Sequence, residues 1–390
     1  MAFDFFANPK LQFGPGKIDM LPKLARGYGD TLLLITGAQS FQKTGHWPKL
    51  LKALEKKAIT IHLATIKTEP SVCVIDEIVR RYTDQNIDVI AAIGGGSVID
   101  AGKAVSAMMT KEESIIEYLE GVGNRSHDGK KIPFIALPTT SGTGSEATKN
   151  AVISRVGENG FKSSLRHDNF VPDIAIVDPS LTLTCPSQTT AACGMDALTQ
   201  LLESLVSTQS SPMTDSLALG ALSLLGDSII TAATKQVHDI DARTKISYAS
   251  YISGLTLANA GLGVVHGFAS VIGGLFEIPH GVICGTLLSE TTRHNIESLI
   301  SKDPHGPALE KYAKAAHLLS PIHGSEDRVE RCRNLIALLT QWTEQLNMPG
   351  LGAYGVSLKD IDSIVRATGQ KNNPIQLPAK KLSQILEARL

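Results

Sequence analysis

Cysteine is scarce in this 390-residue chain: Cys73, Cys185, Cys193, Cys284 and Cys332 are scattered and odd in number. No CxxC pair occurs among them, which argues against a zinc ribbon or a disulfide framework. An excess of charge of one sign is lacking as well, with 37 Lys plus Arg against 38 Asp plus Glu and a net charge of -1. That balance offers no basic field for nucleic acid or an anionic membrane, and no block of like charges suggests an interaction tail. No apolar stretch is long and clean enough to span a bilayer. The opening MAFDFFANPKLQFGPG lacks the charged leader and apolar core of a signal peptide. The expectation is a cytoplasmic protein whose partners include neither nucleic acid nor membrane. Aromatic residues are only 5%, so few landmarks define a specificity pocket; Phe161, Phe268 and Phe276 are candidates to border one.

What is present is the composition of a globular protein, 43% hydrophobic and 19% charged, with a length that suits two domains. The first half alternates short apolar runs with amphipathic segments. TLLLIT (31–36), ITIHLAT (59–65), DVIAAIG (88–94), PFIALPT (133–139) and DIAIVDP (173–179) read as strands. WPKLLKALEKK (47–57), VCVIDEIVRRYTDQ (72–85) and SVIDAGKAVSAMM (97–109) read as helices between them. This alternation predicts a parallel sheet with helices on its faces. Beyond about Pro186 helical periodicity takes over, in 189–207, 213–234, 242–260 and 382–390, and no strand is expected after residue 180. The expected division is an α/β domain over 1–183 and an all-helical domain over 184–390, with ligands in a cleft between them. The polar stretch near 320–327 reads as a surface loop.

Two glycine-rich turns follow strands. AIGGGSVIDAGK (92–103) sets three glycines between an apolar strand and a helix, where backbone can approach a phosphate and the helix N-terminus favours negative charge. It is not the GxGxxG fingerprint, and a tight strand-to-helix turn would look the same. PTTSGTGSE (138–146) adds hydroxyls and more small residues after another strand, which makes a nucleotide or phosphate site the better reading of the pair.

In the helical half, GMDALTQLLE (194–203) puts Asp196 and Gln200 one turn apart on one face, among Leu198, Leu201 and Leu202. A carboxylate in such surroundings needs a partner or a metal. His266 and His280 lie in the glycine-rich, mostly apolar GLGVVHGFASVIGGLFEIPHGVICG (261–285). Imidazoles and a carboxylate suit Fe²⁺ or Zn²⁺. Each histidine alone reads more readily as a hydrogen-bonded core residue than as a ligand, and spacing does not pair either of them with Asp196.

The motifs GGGSVIDAGK, PTTSGTGSE, IVDPSLTLTCPSQTTAACGMDALTQLLE and VVHGFASVIGGLFEIPHG together resemble those of the iron-containing (group III) alcohol dehydrogenases. That family is related in fold to glycerol dehydrogenase and dehydroquinate synthase. The resemblance runs from FGPGKIDMLP (13–22) to NNPIQLPAKKLSQIL (373–386). It implies an N-terminal α/β nucleotide-binding domain and a C-terminal all-α metal domain. It implies NAD(P) contacts from Gly94, Gly95, Gly96 and Ser97 at the pyrophosphate and from Asp100 near the nicotinamide. Thr139, Thr140, Ser141 and Thr143 would serve the adenosine and ribose side, with Lys162 on a ribose and Leu181 and Thr182 nearby. Asp196, His266 and His280 match three metal ligands, for iron or alternatively zinc.

Two positions depart from the family pattern. Gln200 stands where many members have a histidine, so a weaker fourth ligand or a three-ligand site results, and weaker metal retention is expected. Ser270 stands at the catalytic position where some members carry a second histidine thought to relay protons, a role a serine hydroxyl cannot take near neutral pH. Members preferring NAD often carry an Asp after the first strand; here LLITGAQSF offers Gly37, with Ser40 as a phosphate donor, so NADP is expected to be accepted or preferred. The implied activity is reversible oxidation of a primary or secondary alcohol by a homodimer or larger assembly. Maleylacetate- or hydroxyacid-type reduction on the same scaffold is the alternative within the class. A dehydroquinate-synthase-like lyase is disfavoured, because 242–285 supplies only Arg243 and Lys245 as basic groups other than histidine. A non-catalytic descendant with a degraded metal site is the alternative outside it.

Overall fold

The computed structural model describes residues 2–6, 8–157, 160–320 and 326–390, so most of the polar stretch 320–327 lies outside the described residues. The chain divides into two compact units. One comprises Phe6–Arg155 and Lys162–Cys185; the other comprises Pro186–Leu390 with Met1–Phe5 and Val156–Phe161.

The first unit is built on a six-stranded sheet in the order β1-β8-β5-β4-β2-β3. Its strands are β1 (Lys10–Phe13), β2 (Thr31–Gly37), β3 (Thr60–Ile66), β4 (Val89–Gly94), β5 (Phe134–Pro138) and β8 (Ile174–Val177), and every pairing is parallel. β6 (Asn150–Arg155) and β7 (Phe161–Arg166) form a separate two-stranded sheet. The helices of this unit are α1 (Leu21–Arg26), α2 (His46–Glu55), α3 (Val72–Tyr82) and α4 (Gly96–Met108). β4 and β5 are buried along their whole length, the pattern of central parallel strands covered on both faces. Leu32, Leu34, Ala91, Ile93, Ile135, Leu137 and Ile176 share one apolar cluster with Leu21, Leu50 and Leu54 of the helices.

The chain steps outward from β2 to β3 but the other way from β4 to β5, so the adjacent pair β2 and β4 marks a topological switch point. Ligands of open α/β sheets bind beyond the carboxyl ends of strands at such a point. Gly37 ends β2 and Gly94 ends β4.

The second unit contains α5 (Ser187–Val206), α6 (Pro212–Leu225), the short α7 (Ser228–Ile230), α8 (Ile240–Ala260), α9 (Val264–Leu275), α10 (His280–Lys302), α11 (Pro307–Leu319), α12 (Arg328–Gln345), α13 (Leu358–Ala367) and α14 (Ala379–Glu387). α5 is the central rod: from Gly194 to Val206 every residue is buried. Among the described residues no single helix is long and apolar enough to cross a membrane.

The expected α/β class with a helical second half is what the chain adopts. Three strands were not expected: β1, β6 and β7 are short or half-polar and carry no sustained apolar run. The expected single helix over 213–234 is broken. Gly226 takes φ 20° and ψ −122°, outside the helical range, and α7 continues into a π-helical turn over Thr231–Lys235.

Candidate metal centre

α5 presents Asp196, Gln200 and Glu203 at spacings that return to one helix face. All three are buried. α9 brings His266 in its first turn, and α10 begins at His280, with Cys284 one turn further along the same face. α10 sits close to α5 because its first turns are trimmed. A β-carbon at Gly281 would fall 2.5 Å from the Ala192 carbonyl oxygen of α5. That contact is with backbone, which cannot yield, so only glycine admits this approach.

Asp196, His266, His280 and Cys284 each offer a donor atom, and those atoms all lie within 4.8 Å of one another. His266 Nε2 is 3.4 Å from Asp196 Oδ1 and His280 Nε2 is 3.8 Å from it. Cys284 Sγ is 3.6 Å from His266 Nε2 and 3.7 Å from His280 Nε2. Asp196 Oδ1 is buried and accepts no hydrogen bond. A charged oxygen withdrawn from water with only these two longer imidazole contacts is costly, and a cation among these four atoms relieves that cost. The residues therefore fit a divalent ion.

Glu203 orients the centre. Its Oε2 lies 2.7 Å from His266 Nδ1, while its Oε1 accepts from the Val265 N–H at 2.7 Å. One carboxylate thus caps α9 and holds the proton on His266 Nδ1, which leaves Nε2 to face Asp196 and Cys284. Burial opposes ionisation of Asp196, but His280 and His266 outweigh it and hold its carboxyl below the ordinary value. Burial likewise opposes a charged His266, yet Cys284, Asp196 and Glu203 raise it well above the usual imidazole value. Burial pushes the Cys284 thiol up to about 12. A negative field of this kind takes up protons when no metal is present and yields them to a divalent cation.

The two departures have clear placements. Gln200 Oε1 accepts a hydrogen bond from Ser253 Oγ of α8 at 2.7 Å. Ser270 donates its hydroxyl to the His266 carbonyl oxygen at 3.0 Å, a bond back into its own helix. Cys284 and Glu203 were missed from sequence alone. The signals were there: His280 and Cys284 are four residues apart on one helix, and Glu203 is seven after Asp196 on another.

The α/β unit gathers the expected cofactor residues at strand ends. Gly95 is the N-cap of α4 and carries no side-chain cap, so the first-turn N–H groups near Gly96 and Ser97 remain for an anion. The turn after β5 is pinned to the turn after β4 by the Thr139 N–H, which donates to Gly94 O at 2.8 Å. Thr143 packs so closely on Gly96 that a β-carbon there would fall 2.7 Å from it, and Thr140 lies beside Gly95. Gly95, Gly96, Ser97, Thr139, Thr140, Ser141 and Thr143 are all half-buried. Lys162 pairs with Glu69 at 3.0 Å, and Leu181 and Thr182 are buried in a short 3₁₀ turn after β8. Gly37 and the exposed Ser40 follow β2.

A buried lysine fastens the two glycine turns. Lys103 Nζ donates to Ser145 O at 2.8 Å, to Thr148 Oγ1 at 3.0 Å and to Asn150 O at 2.7 Å. Asp100, one turn earlier on α4, accepts from the Val152 N–H at 3.0 Å. Burial lowers Lys103 to about 8 and raises Asp100, the latter despite the neighbouring ammonium. Burial also raises Glu146, the last residue of PTTSGTGSE, to about 7.

Comparison with known proteins agrees with this anatomy. Residues 8–179 match the family model "Iron-containing alcohol dehydrogenase", and residues 190–390 match "Fe-containing alcohol dehydrogenase family, C-terminal". The chain is 30% identical to long-chain-alcohol dehydrogenase 1 of Geobacillus thermodenitrificans, across 97% of this chain and 93% of that one. It is 30% identical to the NADPH-dependent butanol dehydrogenase of Clostridium saccharobutylicum, across 98% and 97%. The crystal structure of sulfoacetaldehyde reductase from Bifidobacterium kashiwanohense in complex with NAD+ superposes with a TM-score of 0.86 at 27% identity, covering 100% of this chain and 99% of that one. Fold and centre define a metal-site oxidoreductase. The chain belongs to the iron-containing alcohol dehydrogenase family.

Two outcomes follow from these contacts. Glu203→Gln keeps the size of the side chain but removes the charge behind His266, and metal affinity measured by chelator competition falls about 10–100-fold. Glu146 is held protonated in the folded chain up to about 7 against 4.5 in the unfolded one. The native state therefore binds more protons between these values, and stability falls as pH rises through them. Glu146→Gln reduces that slope in denaturant titrations run across the same pH range.

Proposed function

We propose that this chain is a metal-dependent alcohol dehydrogenase that moves a hydride reversibly between a primary or secondary alcohol and NAD(P). The observation that carries the proposal is the buried, unbonded Asp196 Oδ1 facing His266, His280 and Cys284. Asp196, His266 and His280 hold the ion, and Glu203 fixes the His266 ring so that Nε2 faces it. When bound, the ion supplies Lewis acidity that stabilises negative charge on the alcohol oxygen. Bound nicotinamide would accept a hydride from the alcohol carbon as the oxygen gives up its proton, leaving an aldehyde or ketone and NAD(P)H. The α4 N-terminus with Gly95, Gly96 and Ser97 binds the pyrophosphate, and Lys103 keeps the adjoining turn in register with it.

The cofactor preference we infer rests on the residues at and after the end of β2. Its end carries Gly37 and Ser40 and no carboxylate that would repel a 2′-phosphate, so NADP is accepted and we infer that it is preferred. Relatives use either cofactor: the Clostridium saccharobutylicum enzyme is NADPH-dependent and the Bacillus methanolicus methanol dehydrogenase NAD-dependent, so the preference rests on Gly37 and Ser40.

Purified, metal-loaded protein is expected to reduce NADP, and NAD less well, with members of an alcohol panel, and His266→Ala is expected to abolish that turnover. Absence of turnover with any alcohol or aldehyde would contradict the proposal. A β-carbon at Gly37 meets only ordinary contacts, at 3.6 Å from Ser40 Oγ, so Gly37→Asp folds. That variant lowers the NADP-to-NAD ratio of kcat/KM by roughly tenfold or more, since a carboxylate there repels the 2′-phosphate. An unchanged ratio places the 2′ group elsewhere.

A further inference from the structure

We propose that Cys284 is itself a metal ligand, a thiolate that takes the fourth position in place of Gln200. The inference rests on the metal-site reading above and sharpens its ligand set.

Three observations carry it. The first is geometric. Bonds of the usual zinc lengths set at tetrahedral angles separate nitrogen and oxygen donors by about 3.4 Å and sulfur from nitrogen by about 3.6 Å, whereas right-angled bonds would bring nitrogen and oxygen to about 3.0 Å. The sulfur stands 3.6 Å and 3.7 Å from the two Nε2 atoms, and Asp196 Oδ1 stands 3.4 Å and 3.8 Å from them. Three of these four separations match tetrahedral edges, the fourth, at 3.8 Å, is longer, and all the donor atoms lie within 4.8 Å of one another.

The second observation is that both imidazoles turn Nε2 toward the same sulfur at nearly equal distance. A thiol donates one proton and accepts only weakly at its sulfur. His266 Nδ1 is already engaged with Glu203, so Nε2 is the nitrogen that would coordinate once it gives up its proton. A cation between the three atoms accounts for both contacts at once. The third is Gln200, whose carbonyl oxygen is taken up by Ser253 Oγ at 2.7 Å. Gln200 is thus already partnered, while α10 offers a donor one turn after His280 that lies within the cluster. That exchange replaces a neutral, hard oxygen with a soft anionic sulfur, a donor that suits zinc. Coordination releases the thiol proton to solvent. Zinc expands readily from four ligands to five, which leaves a place for substrate.

Cobalt(II) tests this without reliance on turnover. In metal-free protein loaded with Co²⁺, visible ligand-field bands report ion binding by any ligand set, while a near-ultraviolet thiolate-to-cobalt band reports sulfur. Wild type is expected to show both. Cys284→Ser and Cys284→Ala are expected to keep the visible bands and lose the near-ultraviolet one. Their zinc affinity falls by at least the roughly 10–100-fold that disturbing an outer-shell partner costs. Visible bands without the near-ultraviolet band in wild type would overturn the thiolate and leave the metal site standing. So would a near-ultraviolet band that persists in both variants, since the sulfur would then be another cysteine. Absence of both bands in wild type would overturn the thiolate and the metal site together.

Discussion

An ionised carboxylate among apolar helices is tolerable only if positive charge stands beside it. Asp196 is such a group, on a helix buried from Gly194 to Val206, with one oxygen that accepts no hydrogen bond. The rest of the helical unit can be read as the means of bringing partners to that oxygen. α9 delivers His266 and α10 delivers His280 and Cys284. Electrostatics alone would let the two imidazoles compensate the carboxylate. Their spacing from it, at 3.4 Å and 3.8 Å, is longer than a direct hydrogen bond and leaves room for an ion beside them.

Two local devices make the convergence possible. Gly281 lets the start of α10 lie against the Ala192 carbonyl of α5, a distance no side chain would permit. Glu203 binds both the Val265 N–H and His266 Nδ1, so the α9 N-terminus and the ring are aimed by a single carboxylate. In the α/β unit Lys103 plays a comparable part, gathering Ser145, Thr148 and Asn150 so that the turn after β5 stays beside the turn after β4. In both units a buried charge organises a loop, and in both its cost is offset by several specific acceptors or donors.

The α/β class and the helical second half were legible in sequence because central parallel strands are uniform apolar runs and helices are periodic. β6 (NAVISR) and β7 (FKSSLR) were not, since each mixes polar and apolar residues without either pattern. The break at Gly226 was missed because apolar periodicity continues on both sides of it. Within the site, Asp196 announced itself as a carboxylate among leucines, while the histidines were joined to it only by family resemblance. No spacing rule links residues on three helices. Cys284 was counted among scattered cysteines because pairing rules look for CxxC, whereas its partner is the histidine one helical turn before it. Gln200 looked like a damaged fourth position from sequence; its bond to Ser253 and the arrival of Cys284 give a different account of the same residue.

The central claim is that Asp196 is buried in order to hold a metal ion. Elemental analysis of the purified protein beside its Asp196→Asn variant, a change of charge with almost no change of shape, tests it most directly. The account predicts a tightly held divalent metal in wild type and almost none in the variant, with both proteins folded. Equal metal content in the two, or none in wild type after loading, would contradict it.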